Sequence, residues 1–241
     1  MFHEYMKRLG ALMAGQVISA IGITMILNAN IGPEPWSVLQ QGMSVFFGMT
    51  YGTAAMIVGA AVIAVAFLMG EGFGIGTLAS IFICPALIDI LLAWGIIPQM
   101  HGLISGILML LAGMELLALG TWLYMLCALG AGPRDALMVV LARKTGRSVG
   151  FCRAVTEVIV VLAGWRLGGP VGIGTVIASF GVGMLFNLNF RLLHFHAVNT
   201  HQENLPETIR RIRGAGQAAG SVSAGGGNGQ ADSFSGNISG K

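Results

Sequence analysis

Charged side chains are scarce in this chain of 241 residues: Asp, Glu, Lys and Arg together make up 10%, against 55% hydrophobic residues. A water-soluble domain of that size needs far more charge to cover its surface, so a soluble globular fold is all but excluded. The same apolar content excludes a disordered chain. Cysteine is nearly missing as well. The three present, Cys84, Cys127 and Cys152, lie in or beside apolar runs without CxxC or CxxH spacing, which excludes a disulfide scaffold and leaves them as small packing residues. Charge of one sign is not in excess: the net +3 comes from short clusters flanking apolar runs, so a soluble nucleic-acid binder is excluded too. No Ser-His-Asp, HExxH or paired-cysteine constellation occurs, and the reading is non-enzymatic, with no cofactor and no metal. Gly72-x-Gly-x-Gly76 lacks the strand and βαβ context of a dinucleotide loop and is read as tight turns.

In place of charge the chain carries apolar runs of membrane length. A bilayer core takes about 20 mostly apolar residues per helix, and six stretches qualify: 9–28, 52–69, 76–96, 103–128, 150–166 and 174–193. The last two are the weakest, because Arg153 and Glu157 interrupt one and Asn187 and Asn189 end the other. Beyond residue 197 the composition turns polar. From about 214 it becomes a Gly/Ser/Ala segment that cannot bury a core and is expected to be disordered.

The chain also resembles itself. At an offset of 98, residues 12–89 align with 110–187 without a gap, and eight glycines coincide, among them Gly15 with Gly113, Gly22 with Gly120 and Gly32 with Gly130. Gly74-Ile-Gly-Thr77 recurs as Gly172-Ile-Gly-Thr175, and Pro35 as Pro133. A period of this kind marks duplication. Each copy holds three spans; three is odd, so the second copy must enter the membrane from the opposite side, as an inverted repeat. Charge points the same way. The connection at 29–51 has no Lys or Arg, whereas its counterpart at 129–149 carries Arg134, Arg143, Lys144 and Arg147, which puts the first outside and the second in the cytoplasm. The expected fold is therefore an all-α polytopic membrane protein, with six transmembrane helices as two inverted three-helix repeats. Its parts are a cytoplasmic N-terminus at 1–8, repeats at 9–98 and 99–196, and a cytoplasmic tail at 197–241.

In each copy Gly32 and Pro35, or Gly130 and Pro133, break the chain after the first span. A new helix is expected to start at Trp36-Ser37 and Arg134-Asp135, with Ser37 and Asp135 as N-caps. The segments 35–47 and 133–145 have two readings: amphipathic helices on the membrane surface, favoured by Arg143, Lys144 and Arg147, or helices that fold back and aim their positive ends at a central cavity.

Ile31-Gly-Pro-Glu-Pro-Trp-Ser-Val-Leu39 and Leu129-Gly-Ala-Gly-Pro-Arg-Asp-Ala-Leu137, each followed some 40 residues later by Gly-Ile-Gly-Thr, resemble the YczE-type bacterial integral membrane proteins of the YczE/YyaS/YitT group. Arg153-x-x-x-Glu157 ahead of Gly164-Trp165 and Gly168-Gly169 is similar to that family's second half. The likeness spans about residues 7–193 and implies a multi-pass protein of the bacterial inner membrane, and the charge count puts both termini in the cytoplasm. Ser37 departs from the Asp usual in the family's first copy, so any role of that carboxylate rests on Asp135.

Acidic residues inside spans cost at least about 2.5 kcal/mol near the bilayer centre and face the bundle interior. Asp89, Glu115 and Glu157 are such residues. Glu157 has Arg153 one turn earlier as its partner, and Glu115 has no cation within four residues. Asp89 has helix-end solvation as an adequate simpler account. The functional expectation is a small-solute transporter: Trp36, Ser37, Arg134 and Asp135 bind the solute, Arg134 attracts an anionic group, and Glu115, Glu157, Arg153 and Asp89 serve proton or ion coupling. The alternative is a membrane scaffold or accessory protein for a cytoplasmic partner, suggested by the basic stretches Arg143–Arg147 and Arg210–Arg213. The lipid bilayer is the one partner that composition requires; homodimerisation is compatible with the sequence and not determined by it.

Overall fold

The computed structural model describes residues 2–127, 130 and 132–192. The expectations for the tail lie outside them. The described residues form eight helices and no strand: α1 (Phe2–Asn28), α2 (Pro35–Phe47), α3 (Tyr51–Leu68), α4 (Ile75–Trp94), α5 (Leu103–Leu126), α6 (Pro133–Thr145), α7 (Val149–Arg166) and α8 (Ile173–Leu192). The sequence period is visible in these bounds. Those of α2, α3 and α4 recur 98 residues on as those of α6, α7 and α8, and α1 and α5 end at matching positions, Asn28 and Leu126.

Four helical segments are long and apolar enough to cross a membrane alone: Met6–Asn28, Tyr51–Leu68, Gly76–Trp94 and Leu103–Leu126. The count becomes five if α6 and α7, bent by 115° at their junction, are taken as one broken span. This is fewer than the six expected. Arg153 and Glu157 lower the hydropathy of α7, and the apolar part of α8 runs only over Ile173–Phe186.

Local chemistry explains the short helices. Pro35 and Pro133 occupy the first turns of α2 and α6, where a missing amide proton costs nothing and φ is already helical. The helices therefore begin at the prolines. Glu34 and Gly132 are the N-caps, in extended conformation, and the capping expected of Ser37 and Asp135 is corrected: both lie within the first turn. Each short helix ends on a left-handed glycine, Gly48 at φ 67° and Gly146 at φ 65°. The following helices start on hydroxyl caps, Thr50 accepting from Thr53 N at 3.1 Å and Ser148 from Phe151 N at 3.3 Å.

Packing places α2 and α6 inside the bundle. Trp36, Ser37, Val38 and Gln40 of α2 are buried, as are Ala136, Leu137, Met138 and Val140 of α6, whereas Val45, Phe46 and Phe47 at the end of α2 are exposed. Each packs on the long helix of the other half, α2 on α7 and α6 on α3. On the α2–α7 seam, Gly42 meets the Gly164 carbonyl and Gly169 meets the Val38 carbonyl, approaches that a side chain would block. The centre is the crossing of α1 and α5. A Cβ on Gly22 would lie 2.7 Å from the Gly113 carbonyl oxygen and one on Gly15 would lie 2.9 Å from that of Gly120, an order that makes the two helices antiparallel. The described residues of the two halves thus interlock in one compact unit. Its outside is studded with exposed Leu68, Trp94, Ile104, Phe180 and Met184, as a lipid-facing surface requires.

Gly22→Ala should destabilise the detergent-solubilised protein by about 1–3 kcal/mol through overpacking of the α1–α5 crossing. Gly150→Ala, where an added Cβ meets nothing within 4 Å, should change it little. Thermal unfolding of both variants checks this.

Candidate functional site

The first turns of α2 and α6 meet in the interior of the bundle. Trp36 and Arg134 hold equivalent positions in the two copies, and here they face each other, the guanidinium carbon 5.3 Å from the indole centroid. Arg134 Nη1 also donates to Glu34 Oε1 at 2.6 Å, and Glu34 is only 4% exposed. The counterpart of Glu34 is Gly132, so the ion pair has no image in the other half. A carboxylate buried to this degree is retained only when a cation and hydrogen bonds compensate it. Ser37 Oγ supplies a second contact at 3.3 Å.

From Glu34 a polar chain runs toward the start of α3. Ser37 Oγ lies 2.9 Å from the Tyr51 hydroxyl, which donates to Gln40 Oε1 at 2.6 Å. Ser37 has one hydroxyl proton to divide between Glu34 and Tyr51, so the network is coupled end to end.

Glu34, Trp36, Gln40, Tyr51 and Arg134 wall a cavity of about 180 Å³, on the order of ten times the space one water needs. Arg153 and Glu157 line it too, joined by a 2.8 Å bond from Nε to Oε1 along α7. Gln16 and Ser19 of α1 complete its polar wall; Gln16 donates to Ser80 at 3.0 Å, while the buried Ser19 Oγ has no hydrogen-bond partner. A second space of about 350 Å³ is lined by Asn28, Asn30, Gln41 and Gln99, and Tyr51 belongs to the walls of both.

The structure therefore brings Trp36, Arg134, Arg153 and Glu157 to one cavity, while Ser37 reaches it only through its contacts to Glu34 and Tyr51. The Asp135 side chain lies outside the described residues. Gly32, at φ 102°, and Gly130, at φ 123°, form the expected breaks ahead of Pro35 and Pro133. Two acidic residues stand apart from the cavity. Asp89 accepts from Gly52 N at 2.7 Å and so caps α3, and Glu115 accepts from Asn189 Nδ2 at 2.9 Å between α5 and α8. Local sequence shows no partner for Glu115 because its partner is 74 residues away.

Glu34, Gln40, Tyr51 and Ser19 escape sequence reasoning. Glu34 sits in a connection rather than a span, and a search for acids inside spans passes over it. Its available signal is an acid flanked by two prolines in a stretch without other charge.

Arg134→Ala should destabilise the protein by up to about 3 kcal/mol by leaving the Glu34 carboxylate without its cation. The double variant Arg134→Ala/Glu34→Gln should recover most of that loss, which a double-mutant cycle of thermal stability reads directly.

Comparison with known proteins agrees with this helical, membrane-type architecture. The chain is 33% identical over 192 residues to an uncharacterized protein of Haemophilus influenzae, covering 78% of this chain and 87% of that one. It is 29% identical to the uncharacterized membrane protein YczE of Bacillus subtilis, covering 78% and 88%, and 23% identical to YyaS of the same organism, covering 78% and 94%. No solved structure matches. Residues 6–190 match the family of unknown function DUF6198, and the chain belongs to that family, within the YczE-type group of membrane proteins.

Proposed function

We propose that this protein is a small-solute transporter of the bacterial inner membrane. In this reading it crosses the bilayer six times as two inverted three-helix repeats, with both termini cytoplasmic and α2 and α6 as re-entrant half-helices. The observation that carries the reading is the Glu34–Arg134 contact. By the span count, residue 34 follows a helix that exits outside, and residue 134 follows one that exits into the cytoplasm. Side chains from connections on opposite faces can touch at 2.6 Å only if both connections turn back to mid-depth. A 13-residue helix is about 20 Å long, enough to return from there to its own face. Discontinuous helices that end at a central site between inverted repeats are the usual construction of secondary transporters.

Contacts between connections support the same topology. Asn28 Nδ2 donates to the Ile97 carbonyl at 2.7 Å, and both lie outside by the count; Arg143 pairs with Glu71, and both lie in the cytoplasm. That pairing also engages part of the basic loop on which the scaffold alternative rests. Tyr51, shared by the two spaces, stands where a solute would pass between the outer vestibule and the inner cavity. In this reading Arg134 attracts an anionic group, Trp36 stacks on the solute or gates it, and Glu157 beside Arg153 is the coupling carboxyl at the cavity. Glu115 and Asp89, occupied by Asn189 and the α3 amide, are weaker choices for that role.

A thermal-shift screen of the purified protein against small anions, amino acids, vitamins and cations tests the reading. Saturable stabilisation by one class, lost in Arg134→Ala and Glu157→Gln, is the expected outcome; folded protein that answers to no class overturns it. For the topology, Asn30→Cys in intact cells should react with a membrane-impermeant thiol reagent. Arg147→Cys should react only after the membrane is opened, and the reverse pattern would refute the orientation.

A further inference from the structure

We propose that the cavity takes a small organic monocarboxylate, and that Glu34 is a tethered competitor holding the place of the solute's carboxylate at Arg134. The inference rests on the transport reading and names the solute class for that same site. Two observations carry it. First, the Glu34 carboxylate shows what its surroundings accept: a planar oxyanion on Arg134, beside the Ser37 hydroxyl, at the start of α2 and facing the start of α6. Second, the side-chain charges at the cavity are already paired. Among the described residues lining the cavity, Glu34 offsets Arg134 and Glu157 offsets Arg153. What remains is the positive end of α2, whose first turn holds no acid, equivalent to about half an elementary charge; the first turn of α6 carries Asp135. With Arg134, this end favours an anionic group over a cation.

The rest of the wall suits an apolar body. Ile23, Ala55, Val58, Leu117 and Val182 line it beside Trp36 and Tyr51. A solute carboxylate would bind Arg134 with Glu34 drawn off the guanidinium, its apolar portion lying along these side chains. The internal acid then sets affinity. It keeps Arg134 compensated, and a solute must outcompete a carboxylate already attached to the protein.

Benzoate, benzamide and benzylammonium, which share a ring and differ in charge, test the assignment on the full-length protein in detergent, by calorimetric titration and thermal shift, with propionate as a smaller acid and inorganic phosphate as a non-planar oxyanion. The two carboxylates should bind and the others should not. Glu34→Gln should bind benzoate at least about tenfold more tightly, and Arg134→Gln should lose it. If Glu34→Gln fails to fold, Glu34→Asp, whose shorter side chain draws the carboxylate back from Arg134, should shift affinity the same way. Preferential binding of benzamide, benzylammonium or phosphate overturns the proposal, as does unchanged or weaker benzoate binding in the folded Glu34 variant. Silence toward both carboxylates while another class from the broad screen stabilises the protein overturns the carboxylate assignment and leaves transport standing. Silence toward every class removes the transport reading itself.

Discussion

A backbone that breaks inside an apolar bundle must find partners for the amides and carbonyls it releases, and the structure is arranged around that requirement. The breaks after α1 and α5 are met by the turns that start α8 and α4. The Ile31 carbonyl accepts from Gly174 N at 2.8 Å, and a Cβ on Gly32 would lie 2.5 Å from Gly172 N. At the equivalent place a Cβ on Gly130 would lie 2.8 Å from the Gly74 Cα. Thr175 and Thr77 accept from Gly172 N and Gly74 N at 3.3 and 3.2 Å, so each turn satisfies its own amide while leaving room for the neighbouring break. The Gly-Ile-Gly-Thr motif is thus a backbone socket. Only residues without a Cβ fit on either side of it, and both breaks carry glycine in a left-handed conformation.

Once the breaks are held, α2 and α6 point their first turns at each other, and the chemistry arises where their equivalence fails. Positions 36 and 134 correspond, yet one is Trp and the other Arg; positions 34 and 132 correspond, yet one is Glu and the other Gly. A symmetric pair of arginines would repel, and a pair of tryptophans would carry no charge. The mixed pair gives a stacked cation with one buried acid to hold it. Asymmetry also governs the outer parts. Asp89 closes the start of α3 through Gly52 N, whereas a Cβ on Gly150, the counterpart of Gly52, would meet nothing within 4 Å.

The legible part of the site consisted of residues whose types are unusual for their surroundings. Trp36 and Arg134 stand out after a proline, and Arg153 with Glu157 is a helical pair readable from its spacing. Tyr51 and Gln40 do not stand out, since a tyrosine at a helix start and a glutamine in a short amphipathic segment are ordinary there. Their roles come from the folding of α3 against α2, which brings three hydroxyl and amide groups into line. Ser19 is less visible still. A serine one turn from glycines in a packed helix reads as a small contact residue, and its oxygen is sealed against Gly120 of α5 by the helix crossing.

Composition and period alone sufficed for the membrane character, the helical class, the duplication and the places where the chain breaks, because each follows from local rules: apolar length, the missing amide of proline and the missing Cβ of glycine. The burial of α2 and α6, the pairing of Glu34 with Arg134 and the separation of Glu115 and Asp89 from the cavity were decided by tertiary packing. These are contacts across 100, 74 and 37 residues, and no local preference carries information over such distances.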